Sequence, residues 1–197
     1  MSNVEDIKKL REMTGAGFSS AKEAYEEAEG DLEKAVELLR KKGLVGAAKK
    51  AGREAKQGLI EAYTHGGRIG AMVEINCETD FVARTDDFKN FVHDIVMHVA
   101  ATNPLYVSQD DIPEEVVEKE KEIYAEEVAG KPADVIEKIV EGKLAKYYSD
   151  VCLLNQAFVK DPDKSVEQLR TELVAKIGEN VVIRRIARWE LGESSDN

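Results

Sequence analysis

The sequence predicts a fold of mixed helices and strands, in which a small helical segment precedes a larger part built around a β-hairpin. Three observations predict it. Residues 4–43 carry apolar side chains at helical spacing, broken by glycines. Near residue 59 the pattern switches to strand formers on either side of His65-Gly66-Gly67-Arg68, a hairpin signal. From residue 114 two long charged segments surround Gly130-Lys131-Pro132, the pattern of an antiparallel helical hairpin.

The elements follow in order. Val4, Ile7 and Leu10 place a first amphipathic helix up to about Met13, and Gly15-Ala16-Gly17 makes a loop after it. Ser19 and Ser20 are N-cap residue types, and Ser20 with Glu23 has capping-box spacing, so a second helix is expected to start there and to stop at Gly30. Asp31 caps a third helix striped by Leu32, Ala35, Val36, Leu38 and Leu39, with its end expected at Gly43. Phe18, beside the glycine loop, either packs inward or offers its ring to a partner. These expectations divide the chain into a three-helix module at 1–43, an Ala/Lys-rich helical linker at 44–57, a core at 58–192 and a flexible tail at 193–197.

Within the core, strands are expected at Leu59–Thr64 and Ile69–Asn76. A helix from Asp86 to Ala100 buries Phe88, Phe91, Val92, Ile95, Val96 and Val99. The helical hairpin spans 114–148, a helix runs from Ser165 to Ile177, and Val181–Trp189 reads as a last strand whose arginines face solvent or a partner.

Composition excludes several classes. A net charge of −11 argues against a nucleic-acid binder, which needs a concentrated positive face. No apolar run approaches the roughly 20 residues of a membrane span, and the acidic start from Met1 to Asp6 predicts no leader peptide. Cys77 and Cys152 lie far apart in apolar surroundings, as reduced core thiols of a cytoplasmic protein do. There is no phosphate-binding Gly-x-x-x-x-Gly-Lys-Ser/Thr loop, His93 and His98 are poorly spaced for a metal, and no serine or cysteine has a nucleophile's setting. The expectation is a protein that is not an enzyme and that takes no cofactor and no metal.

The stretch Asn76-Cys77-Glu78-Thr79-Asp80-Phe81-Val82-Ala83-Arg84 stands out because it follows a strand directly. Thr79 or Asp80 can cap a helical turn beginning there. Phe81 is then either a core residue with Asp80 as a cap, or half of an exposed aromatic–carboxylate pair for a partner's pocket.

These residues also carry a resemblance. The run Leu10-Arg11-Glu12-Met13-Thr14-Gly15-Ala16-Gly17 and the run Val73 to Arg84 resemble the two signatures of the elongation factor Ts family. The stretches His65 to Gly70, Val140 to Lys143, Leu154 to Gln156 with Phe158-Val159, and Ile177 to Asn180 match the same family in order, over nearly the whole chain. Ser20, Ala21 and Ala157 depart from its usual pattern. The resemblance implies an α+β fold: a ubiquitin-associated-like N-terminal module and a core with an antiparallel sheet. It implies a guanine nucleotide exchange factor of translation elongation, with elongation factor Tu as partner. Thr79, Asp80, Phe81 and Val82 would then form the wedge that disturbs the magnesium and phosphate region, with His65 and Phe18 as secondary contacts. Longer members of the family resemble two core halves in one chain. This chain has room for one core, so a homodimer is expected, with Val181, Ile183 and Trp189 as candidate cover. The alternative function is a polypeptide-binding adaptor that uses the N-terminal module alone.

Overall fold

Small side chains set the packing of the first three helices. The computed structural model describes residues 3–14 and 18–193. Helices α1 (Asn3–Thr14), α2 (Phe18–Glu27) and α3 (Leu32–Lys50) bury Ala21, Ala24, Ala28 and Ala35 with Ile7, Leu10 and Tyr25, and Leu32, Val36, Leu38 and Leu39 pack against that core. The alanines let the helices approach closely, and Tyr25 keeps its hydroxyl satisfied by donating to Asp6 Oδ2 at 2.8 Å. Helix α2 ends at Glu27, three residues before the expected stop, and the chain turns through Glu29 and Gly30 at φ of 53° and 86°, with the Gly30 N–H donating to Tyr25 O at 3.0 Å. Asp31 caps α3, its Oδ1 accepting from the N–H groups of Glu33 and Lys34 at 3.0 and 3.1 Å.

Two expectations for this region are corrected. Helix α2 begins at Phe18, so Ser20 lies inside its first turn and does not cap it. Helix α3 does not end at Gly43 but continues through Gly46 to Lys50. A Cβ built on Gly43 would lie 3.6 Å from the Ala175 Cβ, an ordinary contact distance. An interior glycine costs a helix about 1 kcal/mol relative to alanine. The loop expected at residues 15–17 lies outside the described residues, as does nearly all of the expected tail.

Strands β1 (Gln57–His65) and β2 (Ile69–Cys77) form the predicted hairpin. Gly66 and Gly67 have φ of 56° and 67°, and Arg68 N–H donates to His65 O at 3.0 Å. That is a type I′ turn, which needs positive φ at both central positions. At Gly58 the strands approach so closely that a Cβ would sit 2.1 Å from Ile75 O. A one-turn helix α4 (Asp80–Ala83) and helix α5 (Asp86–Thr102) follow. Phe88, Val92, Ile95, Val96 and Val99 of α5 are fully buried, the predicted stripe.

The helical hairpin is α6 (Glu114–Glu127) and α7 (Ala133–Val151). Lys143 pairs with Glu127 and lies 5.3 Å from the centre of the Tyr124 ring, so the helices run antiparallel. Burial, then the neighbouring Glu120, push the Tyr124 phenol up to about 12. A ribbon of β3 (Ala157–Phe158) and β4 (Asp161–Ser165) comes next; two residues and a proline leave no strand signature for a sequence reading. Helix α8 (Val166–Ile177) then leads to β5 (Val182–Glu190).

The main sheet has the order β1-β2-β5. Leu191 N–H donates to Arg68 O, joining the end of β5 to the start of β2, so the two run antiparallel and the fold is a mixed α+β one. The chain divides into two units. One holds the described residues up to Ile60 with Glu74–His93 and Gln168–Ile183; the other holds Glu61–Val73, Asp94–Glu167 and the described residues from Arg184. In the second unit, His98 is wholly buried. Its Nδ1 accepts from Val159 N–H at 3.3 Å, so Nε2 carries the proton and donates to Gln156 Oε1 at 2.9 Å.

The last strand needs correction too. Val181 and Ile183 are buried within the chain (0 % and 5 % exposed) and cannot cover a second copy's sheet. Arg188 does not face solvent; it donates to Ala100 O at 3.1 Å and pairs with Glu190 and Glu193. Since Arg188 faces α5, its neighbours Ala187 and Trp189 face the other way.

Candidate functional site

Strand β2 delivers the chain to a corner whose parts are tied on every side. Cys77, the last strand residue, is fully buried, and its thiol donates to Thr79 O at 3.1 Å. Burial, with the Glu179 carboxylate beside it, pushes this thiol up to about 11. Thr79 has extended backbone and caps α4, its Oγ1 accepting from Val82 N–H at 3.4 Å. Ala83 is buried and pins the inner side of the turn. Thr85 then caps α5: its hydroxyl accepts from Phe88 N–H at 3.3 Å and donates to Val82 O at 2.8 Å. Helix α4 is therefore held between two caps.

A second segment braces the corner from 100 positions away. Glu179 Oε2 accepts from the N–H groups of Glu78 and Thr79 at 3.1 and 3.0 Å, and its Oε1 accepts from the Thr79 hydroxyl at 2.6 Å. In return, Glu78 Oε1 accepts from Asn180 N–H at 2.6 Å. The Asn180 side-chain amide donates to Ala51 O and Arg53 O, at 3.3 and 2.9 Å.

On this frame Phe81 points outward with 78 % of its surface exposed. Asp80 is beside it and pairs with Arg84 at 2.7 Å across one helical turn. An exposed i,i+4 pair contributes only about 0.3–0.5 kcal/mol, so the carboxylate is readily released to another partner. Val82 is half-buried. The corner presents an apolar ring and a carboxylate on a capped backbone.

Thr79, Asp80, Phe81 and Val82 thus occupy one corner of the first unit. Phe18 opens α2 in the same unit, half-exposed. His65 belongs to the second unit, at the hairpin turn, with Tyr63 Oη 3.0 Å from its Nδ1. Sequence reasoning assigned no role to Glu78, Glu179 and Asn180, although they lie in two stretches, Val73 to Arg84 and Ile177 to Asn180, that carry the family resemblance. Among the described residues, no group of three or more His, Cys, Asp and Glu side chains could hold a metal, and no helix is long and apolar enough to cross a membrane. Both cysteines are buried and unbonded to each other.

Comparison with known proteins agrees over the length of the chain. The family profile described as Elongation factor TS matches residues 2–172. An Elongation factor Ts from Caldanaerobacter subterraneus subsp. tengcongensis is 57 % identical over 196 residues, 98 % of each chain. One from Carboxydothermus hydrogenoformans is 60 % identical over 190 residues, covering 95 % of this chain and 88 % of the relative. One from Thermotoga petrophila is 56 % identical over 192 residues, 97 % and 96 % of the two chains. With a family profile over most of its residues and full-length relatives above half identity, the chain belongs to the elongation factor Ts family.

Proposed function

We propose that the chain is a guanine nucleotide exchange factor that binds GDP-bound elongation factor Tu and promotes GDP release. The observation that carries this reading is Phe81, an aromatic side chain 78 % exposed on a corner capped at both ends, next to the Asp80 carboxylate. The physical logic is linkage. A factor that binds the empty GTPase more tightly than its GDP form must weaken GDP by the same ratio. Asp80 and Phe81 entering beside the nucleotide displace the groups that hold Mg²⁺ and the phosphates, which are the strongest local electrostatics of such a site. Burial of Phe81 in the partner supplies part of the energy for that distortion. The protein itself needs no bond-making residue, cofactor or metal, and works in the cytoplasm where elongation proceeds.

The N-terminal bundle is the second part of the reading, a ubiquitin-associated-like docking module that uses Phe18. The third part is a homodimer. With a two-residue turn, Tyr63 shares a sheet face with Gly70, and Met72 is on that face two residues on. Met72 and Trp189 are 42 % and 61 % exposed, and a face of this kind is self-complementary about a twofold axis. His65 of the partner subunit would then add its contact to the wedge. The adaptor alternative uses only the bundle and leaves the corner without a task. The test is release of fluorescent GDP from purified elongation factor Tu with and without the full chain. Acceleration at substoichiometric concentration is expected; a release rate equal to the spontaneous one would overturn the reading.

A further inference from the structure

We infer that Glu179 is a positioning residue for the Asp80–Phe81 corner, a distant carboxylate that completes the cap of α4; this rests on the exchange reading above. In a self-contained capping box, the third helical residue is Glu or Gln and reaches back to the cap residue's N–H. Here that third residue is Val82, which has no acceptor. Glu179 takes the place of the missing group. Its carboxylate accepts from Glu78 N–H, Thr79 N–H and the Thr79 hydroxyl, at 3.1, 3.0 and 2.6 Å. An ionised carboxylate is acceptor-only with about four lone-pair sites, so it can take all three. By accepting the Thr79 proton it also turns that hydroxyl's lone pairs toward Val82 N–H, 3.4 Å away. The arrangement leaves the third position of the turn to an apolar residue while the cap stays complete.

The brace is itself fixed. Asn180 N–H donates to Glu78 Oε1 at 2.6 Å, and its side chain holds Ala51 O and Arg53 O, so residues 78–79 and 179–180 clamp each other reciprocally. Beside this brace, Arg53 pairs with Glu78 at 3.5 Å and Arg84 with Asp80 at 2.7 Å. Phe81 is two residues beyond Thr79 on a four-residue helix, so any rotation about Thr79 swings the ring directly. Glu179 therefore governs how well the ring is aimed once the complex has formed, more than whether it forms.

The test measures catalysed GDP release by the full chain on elongation factor Tu, for Glu179→Ala and Glu179→Gln, each alone and combined with Phe81→Ala. For Glu179→Ala the rate at saturating factor is expected to fall roughly tenfold, the size of a modest misplacement, while the half-saturating concentration changes less than about twofold. Glu179→Gln, which keeps one acceptor oxygen, is expected to lie between that variant and the parent. Neither substitution should slow release further in the Phe81→Ala background, because residues acting through one group do not add. Parent-like release by Glu179→Ala, or an equal loss with and without Phe81, overturns the positioning role. If Glu179→Ala does not fold, Glu179→Gln carries the same comparisons; loss of cooperative thermal unfolding in both variants also overturns it, since Glu179 would then hold the fold. Parent-like release by Phe81→Ala alone would refute the exchange corner itself, an outcome separate from all of these.

Discussion

Replacing Phe81 by alanine separates the exposed ring from every structural role a phenylalanine ordinarily has. A core Phe→Ala change costs about 3–5 kcal/mol of stability. Phe81 keeps only about a fifth of its surface covered, so the expected loss here is under about 0.5 kcal/mol, the range of ordinary surface substitutions. The effect on the complex is opposite in scale. Full burial of such a side chain is worth roughly 1.5–3 kcal/mol, and the four-fifths still exposed leaves about 1.2–2.4 kcal/mol to be gained against the GTPase. At 1.36 kcal/mol per tenfold, catalysed GDP release slows by about 7- to 60-fold. The assay is fluorescent-GDP release from elongation factor Tu with a thermal melt of the same preparation. A parent-like release rate would refute the wedge. A melting shift of core size would refute the premise that the ring is free.

Other perturbations test the frame around it. Gly58→Ala would bring a Cβ to 2.1 Å from Ile75 O at a φ of 143°, and should cost at least about 2 kcal/mol in urea unfolding. Burial holds the His98 imidazole below its ordinary value of 6.5, so the unfolded chain takes up the proton first. Stability is then fully present above about pH 6.5 and falls as pH drops below it; the urea midpoint at pH 5.5 should be lower than at pH 7.5, and His98→Gln should flatten that dependence. Phe18→Ala, at a half-exposed position, should weaken binding to elongation factor Tu roughly 3- to 10-fold by calorimetry, with a stability loss of about 1 kcal/mol from the covered half of the ring. Light scattering should find the parent dimeric at micromolar concentration and Trp189→Glu monomeric, because the substitution puts a charge into an apolar contact; a monomeric parent that forms a fully active one-to-one complex would rule the dimer out.

Much of this protein was determined by short stretches of its own sequence. The turn at Gly66-Gly67, the buried stripe of α5, the Asp31 cap, and the reversal between α6 and α7 each rest on residues within one turn or one hairpin, where local sterics and burial periodicity decide the outcome. The cap at Thr79 belongs with them. The tertiary structure decided whatever depended on a neighbour distant in sequence. Gly43 reads locally as a helix end, yet α3 runs through it to Lys50. The last strand does not alternate simply, since Arg184 and Arg185 are exposed in succession after buried Ile183, so only the packed structure says which side is inner at each position. Phe81 after a strand was compatible with core as well as surface, because periodicity over one turn cannot assign a side to a ring. The brace from Glu179 lay beyond any local reading, since a carboxylate reveals which N–H groups it will meet only when 100 intervening residues have brought the two segments together.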